Sequence, residues 1–471
     1  MGQHFFCARH HSTGLKGEKI MESMLSGLFL AFTGVLYLAV AFIASKGVSS
    51  QADYLLGNRS FNTTSITLTL IATQLGAGMI FGTAAESYEK GLWGLAYNLG
   101  MALGFIILGL GVGARLRSLN ISTTAELFET KYGSPFLRKI AALISIFTMG
   151  GILAAQIVAS RQLFSSMFAL SPWWLVGFWL VVITYTMFGG IKAVIATDIL
   201  QVILIVVVFF GVLFFIIPVG EMTALISLPA APSSGSSFNS EGIFTILLVP
   251  VLFSLIEQDL AQRFFAAKSR RVATVSALLA GAFLLVFAAI PMFLGMYAKA
   301  SGIVPGVGQS PLVLLLQSKL SGFGMTVVAC ALLAAICSTA DSLLGAASSN
   351  LIADFAKANA RVGLAASRLI TFLLGAAALI VAFYFDSVIG LLLKSYAISV
   401  SALLVPLLIA MFAKKPSPCG AKLSVILGFA AYLITEFMNF AGSSIVTALL
   451  ISTLAYIAGH FYDAKGKTQP S

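Results

Sequence analysis

The feature that most restricts this chain is the return, from Met24 onward, of apolar runs about twenty residues long. A run of that length crosses a bilayer as a single helix. Runs fall at 24–45, 62–85, 92–114, 137–168, 172–188, 192–217, 242–264, 272–298, 323–350, 366–385, 387–412, 423–440 and 443–461. Together they predict an all-α polytopic membrane protein of about thirteen transmembrane helices. Composition agrees: 59% of residues are hydrophobic, 10% are charged, and the mean hydropathy is +0.99. Soluble domains carry about 25% charged residues. The spans leave no length for a soluble catalytic domain, so no enzyme activity is expected.

The formal charge of +11 would suit nucleic acid, but most of it lies in short links between the runs. Arg115, Arg117, Lys131, Arg138 and Lys139 share one link. Arg263, Lys268, Arg270 and Arg271 share another, and Lys414, Lys415 and Lys422 a third. All fall on one side if the chain alternates, whereas Pro218–Gly242 holds no Lys or Arg. Such asymmetry is a topology signal. It places the N-terminus outside, the C-terminus in the cytoplasm, and no nucleic acid as partner. The polar extension 1–23 fits poorly, since Arg9, Lys16 and Lys19 would lie outside. Met21 or Met24 is an alternative start. No small-residue cleavage site follows the run 24–45, which is read as a retained leading helix. The four cysteines, Cys7, Cys330, Cys337 and Cys419, show no metal spacing. The four histidines lie near the ends, which excludes a histidine relay through the spans, and the motif H-E-x-x-H is absent.

Three spans are unusual. Ala331–Asn350, ALLAAICSTADSLLGAASSN, is rich in small and hydroxylated residues, with Ala335, Ser338, Thr339 and Ser342 on one helical face. The hydroxyls of Ser338 and Thr339 then lie beside the carbonyl of Ala335. Such a group of neutral oxygens suits a small hard cation such as Na⁺; close packing of two helices explains the same pattern. The run 62–85 holds Gly76, Gly78 and Gly82 beside Thr73 and Gln74. Unwound backbone there would free carbonyls near Ala72 and Leu75, and a glycine packing face is the other reading. Five spans later Pro250 interrupts a run that continues through Ser254, Glu257, Gln258 and Asp259. Broken spans in corresponding positions of two halves point to a transporter binding site, and an odd separation implies inverted repeats.

ADYLLGNRSFNTTSITLTLIATQLGAG, YTMFGGIKAVIATDILQ, QRFFAAK and AAICSTADSLLGAASSNLIADFAK occur in that order over most of the chain. In these stretches it resembles the sodium/solute symporter family of sodium-coupled proline, pantothenate, sialic acid and sugar carriers. The resemblance implies a leucine-transporter-type core of two inverted five-helix repeats, 61–217 and 242–412. The leading helix precedes this core, and two trailing helices (421–461) and a cytoplasmic tail (462–471) follow it. It also implies a sodium site on the carbonyls of Ala72, Leu75 and Ala335 and the hydroxyls of Ser338 and Thr339. Asp198 falls in the same pattern, where it would meet the departing ion; pairing with Lys192 is the alternative. Asp341 points about 200° from Thr339 and is read as a tertiary contact.

The expected function is Na⁺-coupled symport of a small organic solute into the cell by a monomer in the lipid of the cell membrane. The rivals are proton-coupled or exchange transport on the same fold, and a sensor module, for which the chain's end at HFYDAKGKTQPS offers no signalling domain. Candidate pocket residues are Gln74, Gly78, Met79, Gln156, Ser254, Glu257, Gln258, Lys394 and Tyr396, chosen because polar groups at membrane depth need a partner or a ligand. Lys394 either binds an anionic group of the solute or pairs with Glu257. Proline carriers hold tryptophan at the position of Gly78 and an acid at that of Gln74, which speaks against proline. The solute is expected among amino acids, carboxylates, vitamins and sugars.

Overall fold

The computed structural model describes residues 25, 28, 29, 31–46, 48–167, 172–227, 240–306, 308–355, 364–385, 388–438 and 443–466. The N-terminal extension 1–23, most of the expected outer loop (228–239) and tail residues 467–471 lie outside the described residues. Among those described, ten helices are long and apolar enough to cross a membrane, and there is no β-strand. The elements used below are α1 (Gln51–Leu56), α2 (Thr63–Gln74), α3 (Thr83–Lys90), α4 (Ala96–Ile107), α5 (Thr124–Tyr132), α6 (Pro135–Met167), α7 (Pro172–Ile216) and α8 (Ser240–Ser254). They continue with α9 (Gln258–Ala266), α10 (Arg270–Phe287), α11 (Gly322–Phe355), α12 (Leu364–Ala382), α13 (Val388–Phe412), α14 (Pro418–Phe437) and α15 (Ser444–Gly466).

Helix α11 is the axis of the bundle. From Val328 to Leu344 every side chain is buried, and it packs on α6, α7 and α12. Its alanines and serines let the neighbouring backbones approach closely, which is how helices associate where lipid supplies no hydrophobic drive. By contrast α14 and α15 pack mainly on each other and on α13, with Leu433, Ile434, Phe437, Leu450 and Leu454 on the outer surface.

Two spans are broken, and the sequence explains where. The first runs as α2 to Gln74, loses helical form at Leu75 and Gly76, and resumes through a π-helical turn at Gly78–Gly82 into α3. A Cβ on Gly76 would lie 2.2 Å from the Thr339 hydroxyl, so only glycine lets α11 reach this break. The second is α8, which carries Pro250, then an open stretch at Leu255–Glu257, then α9. Its backbone nests against α4 at Gly100, where a Cβ would meet the Leu247 carbonyl at 2.2 Å.

The two spans expected at 172–188 and 192–217 are the two helical halves of α7, joined by a sharp kink at Gly190, whose non-helical backbone (φ +54°, ψ −154°) suits glycine. A Cβ there would sit 2.4 Å from the carbonyl of Tyr54, so the kink is also the seat of α1. That end of the molecule is shut. Lys192 pairs with Asp53 at 2.9 Å, and Gln262 donates to the carbonyl of Leu55 (2.8 Å) and to Ser349 (2.9 Å). The Lys192 hydrogen bond holds the Asp53 carboxyl below the usual carboxylate range. The start of α2 and the end of α9 meet in a parallel bridge between Phe61 and Ala267, with the Lys268 amide donating to Phe61 (2.9 Å). At the opposite end a cavity of about 230 Å³ lies among Phe81, Glu86, Gln162, Gln309 and Val388.

Candidate functional site

The centre of the molecule is the contact between the first break and α11. Helix α2 stops at Gln74, so carbonyls of its last turn lose helical donors: Ala72 keeps only the Leu75 amide (3.2 Å), and the Ala77 amide that would serve Thr73 goes to Gln156. In hydrocarbon an unpaired backbone group costs several kcal/mol, on the order of 2–7 by transfer measurements. Helix α11 answers them. The Ser338 hydroxyl donates to the carbonyls of Ala72 (2.9 Å) and Ala335 (3.0 Å), and the Thr339 hydroxyl to those of Thr73 (2.8 Å) and Ala335 (3.3 Å). On the other side of the break the Ala77 amide donates to the Gln156 side chain of α6 at 2.9 Å.

Ala72, Ala335, Ser338 and Thr339 thus come together as expected from sequence. The hydroxyls also reach the carbonyl of Thr73, which the sequence reading did not name; no contact brings in the carbonyl of Leu75. The donor set is neutral oxygen only, which fits a hard monovalent cation. Among the described residues no group of three His, Cys, Asp or Glu is arranged to hold a metal ion. Rotation of the two hydroxyls would turn their lone pairs inward while the carbonyls stay in place.

One turn away lies a buried charge network. Asp198 accepts from the Thr69 hydroxyl and from Arg263 (3.3 Å). Arg263 also donates to Thr69 (2.9 Å), to the Asp259 carbonyl (2.9 Å) and to the Ser342 hydroxyl. Ser342 donates to the Ser338 carbonyl at 2.7 Å and lies 3.2 Å from the Thr73 hydroxyl, which joins the network to the oxygen cluster. The partner of Asp198 is therefore Arg263 and not Lys192, which is taken by Asp53. Arg263, counted by sequence among the basic links, is 1% exposed and belongs to the core. Asp341 accepts from the Tyr185 hydroxyl (2.9 Å), a tertiary contact.

The candidate pocket residues divide. Between Leu70 and Gly82 every residue but Gln74 is buried, and Gln74 lies within hydrogen-bonding reach of Glu257 at the second break. Tyr396 stacks on Phe253 with centroids 4.1 Å apart, and its hydroxyl meets that of Tyr97 at 2.9 Å. Gly78 faces Tyr97 and Leu392, and Met79 is buried in the π-turn. Phe253 and Tyr97 read as ordinary apolar span residues in sequence, without a signal of their own.

Three residues lie elsewhere. Lys394 is an outward-facing residue, 68% exposed at its side chain, and pairs with Glu436 of α14 at 3.4 Å. It stands two residues before Tyr396, about 200° around α13, so both expected roles for it fail on helical geometry. Ser254 donates to the Pro250 carbonyl (2.8 Å) and packs on Gly104 of α4. Gln258 accepts from the amide (2.7 Å) and hydroxyl (2.8 Å) of Thr124 at the start of α5.

Two broken spans, the first meeting an oxygen cluster on α11 at its break, fit the arrangement expected of a sodium-coupled carrier. Residues 54–428 match the sodium:solute symporter family. The chain belongs to that family. It is a multi-pass membrane transporter in which Na⁺ is the coupling ion. Among solved structures the symporter is similar to a Na⁺-coupled sialic acid symporter in a substrate-bound outward-open state. The TM-score is 0.78 at 19% identity, over 93% of this chain and 96% of that one. It is also similar to MHP1, a nucleobase-cation-symport-1 family transporter in a closed conformation with bromovinylhydantoin bound. There the TM-score is 0.61 at 16% identity, over 89% and 96% of the two chains. Both likenesses support the leucine-transporter type of fold with its two inverted repeats.

Arg263→Met should leave Asp198 buried without a counter-charge, a loss of about 3–5 kcal/mol for a broken buried pair. The symporter variant is expected to lose most of its monodisperse peak in detergent, and Asp198→Asn added to it should restore much of that peak. A stable single mutant would remove the pair from the set of structural anchors.

Proposed function

We propose that the symporter takes up a small organic solute, with Na⁺ held by the carbonyls of Ala72, Thr73 and Ala335 and the hydroxyls of Ser338 and Thr339. The observation that carries this is the pair of α11 hydroxyls bonded directly to the carbonyls freed at the first break. An ion there links α2 to α11, so its arrival favours one arrangement of the two bodies and its departure releases them. The Leu75 carbonyl, next in the break, is a further candidate ligand. Asp198 lies beyond Ser342 on the side of the closed end and is proposed to meet the ion as it leaves.

The solute is proposed to sit between the two breaks, against Gln74, Gly78, Met79, Glu257 and Tyr396, with Gln156 fixing the first break by its bond to Ala77. Lys394, Ser254 and Gln258 are left out of this pocket. The basic links support a closed end facing the cytoplasm and a cavity beside Glu86 and Gln309 facing outward, in the cell membrane. The conformation is then closed inward and accessible outward. The reading has no catalytic step.

Thr339→Ala removes one hydroxyl from a site without a carboxylate. In proteoliposomes its apparent Na⁺ affinity should fall about tenfold, roughly 1.4 kcal/mol. Ser348→Ala, whose hydroxyl bonds only within α11 at Gly345, should leave that affinity unchanged. Uptake that persists when choline replaces Na⁺ would sink the proposal. Orientation is checked separately with an impermeant thiol reagent on intact cells. It should label Val304→Cys, at an 85% exposed position, and miss Lys415→Cys; the reverse pattern would invert the topology.

A further inference from the structure

We infer that the solute carries a cationic nitrogen, an amine or ammonium group, which seats on the Glu257 carboxylate with its carbon framework against Phe253 and Tyr396. The inference rests on the symport reading above and adds the substrate class.

It begins with charge. Glu257 is 5% exposed and one of its carboxylate oxygens has no hydrogen-bond partner. Asp259, two residues on, is wholly buried, and both its carboxylate oxygens lack partners. The buried cation nearest them, Arg263, directs its bonds to Asp198, Thr69, Ser342 and the backbone carbonyl of Asp259. Lys394 points out of the bundle to Glu436. The two carboxyls lie within hydrogen-bonding reach of each other, beside a guanidinium whose bonds go elsewhere. Buried carboxyls this close share a proton or take a cation, and their unpartnered oxygens can receive a cation from outside the chain.

Shape and lining agree. Glu257 lies within hydrogen-bonding reach of Gln74, the one residue between Leu70 and Gly82 that is not buried, so its carboxylate borders the space that side chain faces. The Glu257 amide donates to the Phe253 carbonyl (3.0 Å), Phe253 stacks on Tyr396, and the Tyr396 hydroxyl meets that of Tyr97 at 2.9 Å. Aromatic faces attract cations, so a carboxylate next to stacked rings recognises a protonated nitrogen twice over. An anionic solute would meet two carboxyls and no basic side chain free to receive it. The same charges that attract an amine therefore reject a plain carboxylate.

The test uses the purified full chain and its thermal stabilisation, in Na⁺ and in choline, by a panel of compounds. The panel holds primary, secondary and quaternary amines, zwitterionic amino acids, their desamino carboxylates, and neutral sugars. Stabilising compounds should contain a cationic nitrogen, and their desamino analogues should have no effect on the wild-type protein. Glu257→Gln should weaken the best such compound at least about tenfold while the Na⁺ midpoint stays within about twofold of wild type. A strongest ligand without a cationic nitrogen, a panel in which no amine or ammonium compound acts, or wild-type affinity for the best one in a folded Glu257→Gln would overturn the inference. If Glu257→Gln does not fold, the amine and desamino comparison on the wild type decides alone. Amine binding that is equal in Na⁺ and choline would instead remove the symport reading and leave the substrate class standing.

Discussion

The structure depends on how a broken helix is kept inside a bilayer. Where α2 ends, the Ala72 carbonyl keeps only the Leu75 amide (3.2 Å), the Thr73 carbonyl loses the Ala77 amide to Gln156, and hydrocarbon offers no substitute. Ser338 and Thr339 donate to both carbonyls from one turn of α11. That requirement fixes much else. It brings α11 to the axis of the bundle, demands glycine at position 76 where the Thr339 hydroxyl passes, and places Gln156 to receive the Ala77 amide on the far side. The same oxygens that satisfy the backbone are those suited to a hard cation, so the structural bond and the ion compete for one set of lone pairs. A contact of this kind can be remade without being broken, which a coupling site needs.

Charge is organised around the break in a second layer. Asp198, Arg263 and Ser342 connect the oxygen cluster to α9, the second half of the other broken span. The two breaks are therefore joined through polar groups, while α14 and α15 pack at the periphery on α13. Glu257 and Asp259 lie at the second break with carboxylate oxygens that have no hydrogen-bond partner. The proposed places for ion and solute then differ in chemistry: neutral oxygens for the ion, a carboxyl and aromatic rings for the solute.

Much of the fold was legible in sequence because hydrophobic run length and the spacing of glycine, proline and hydroxyl residues are local properties. The breaks at Gly76 and after Pro250, and the face shared by Ser338 and Thr339, were readable on those terms. Pairing of buried charges was not. Lys394 looks central when only depth along α13 is considered, yet its angular position sends it to Glu436, and depth and angle are independent on a helix. Arg263 sits two residues from the apolar pair Phe265–Ala266 and close to Lys268, so composition alone assigns it to a loop. Only the packing of α9 against α2 and α11 shows it to be internal. Gly190 separates the two spans expected from sequence, because a glycine at positive φ can turn the chain sharply between two helices.

The central claim is that Na⁺ binds where the first break meets α11 and steadies both. Hydrogen–deuterium exchange of the symporter in detergent, compared in Na⁺ and in equimolar choline, tests it most directly. The account predicts Na⁺-specific protection concentrated in peptides covering Ala72–Met79 and Ala335–Ser342, with little change in α14 and α15. Uniform protection across the chain, or protection confined to segments away from both, would contradict it.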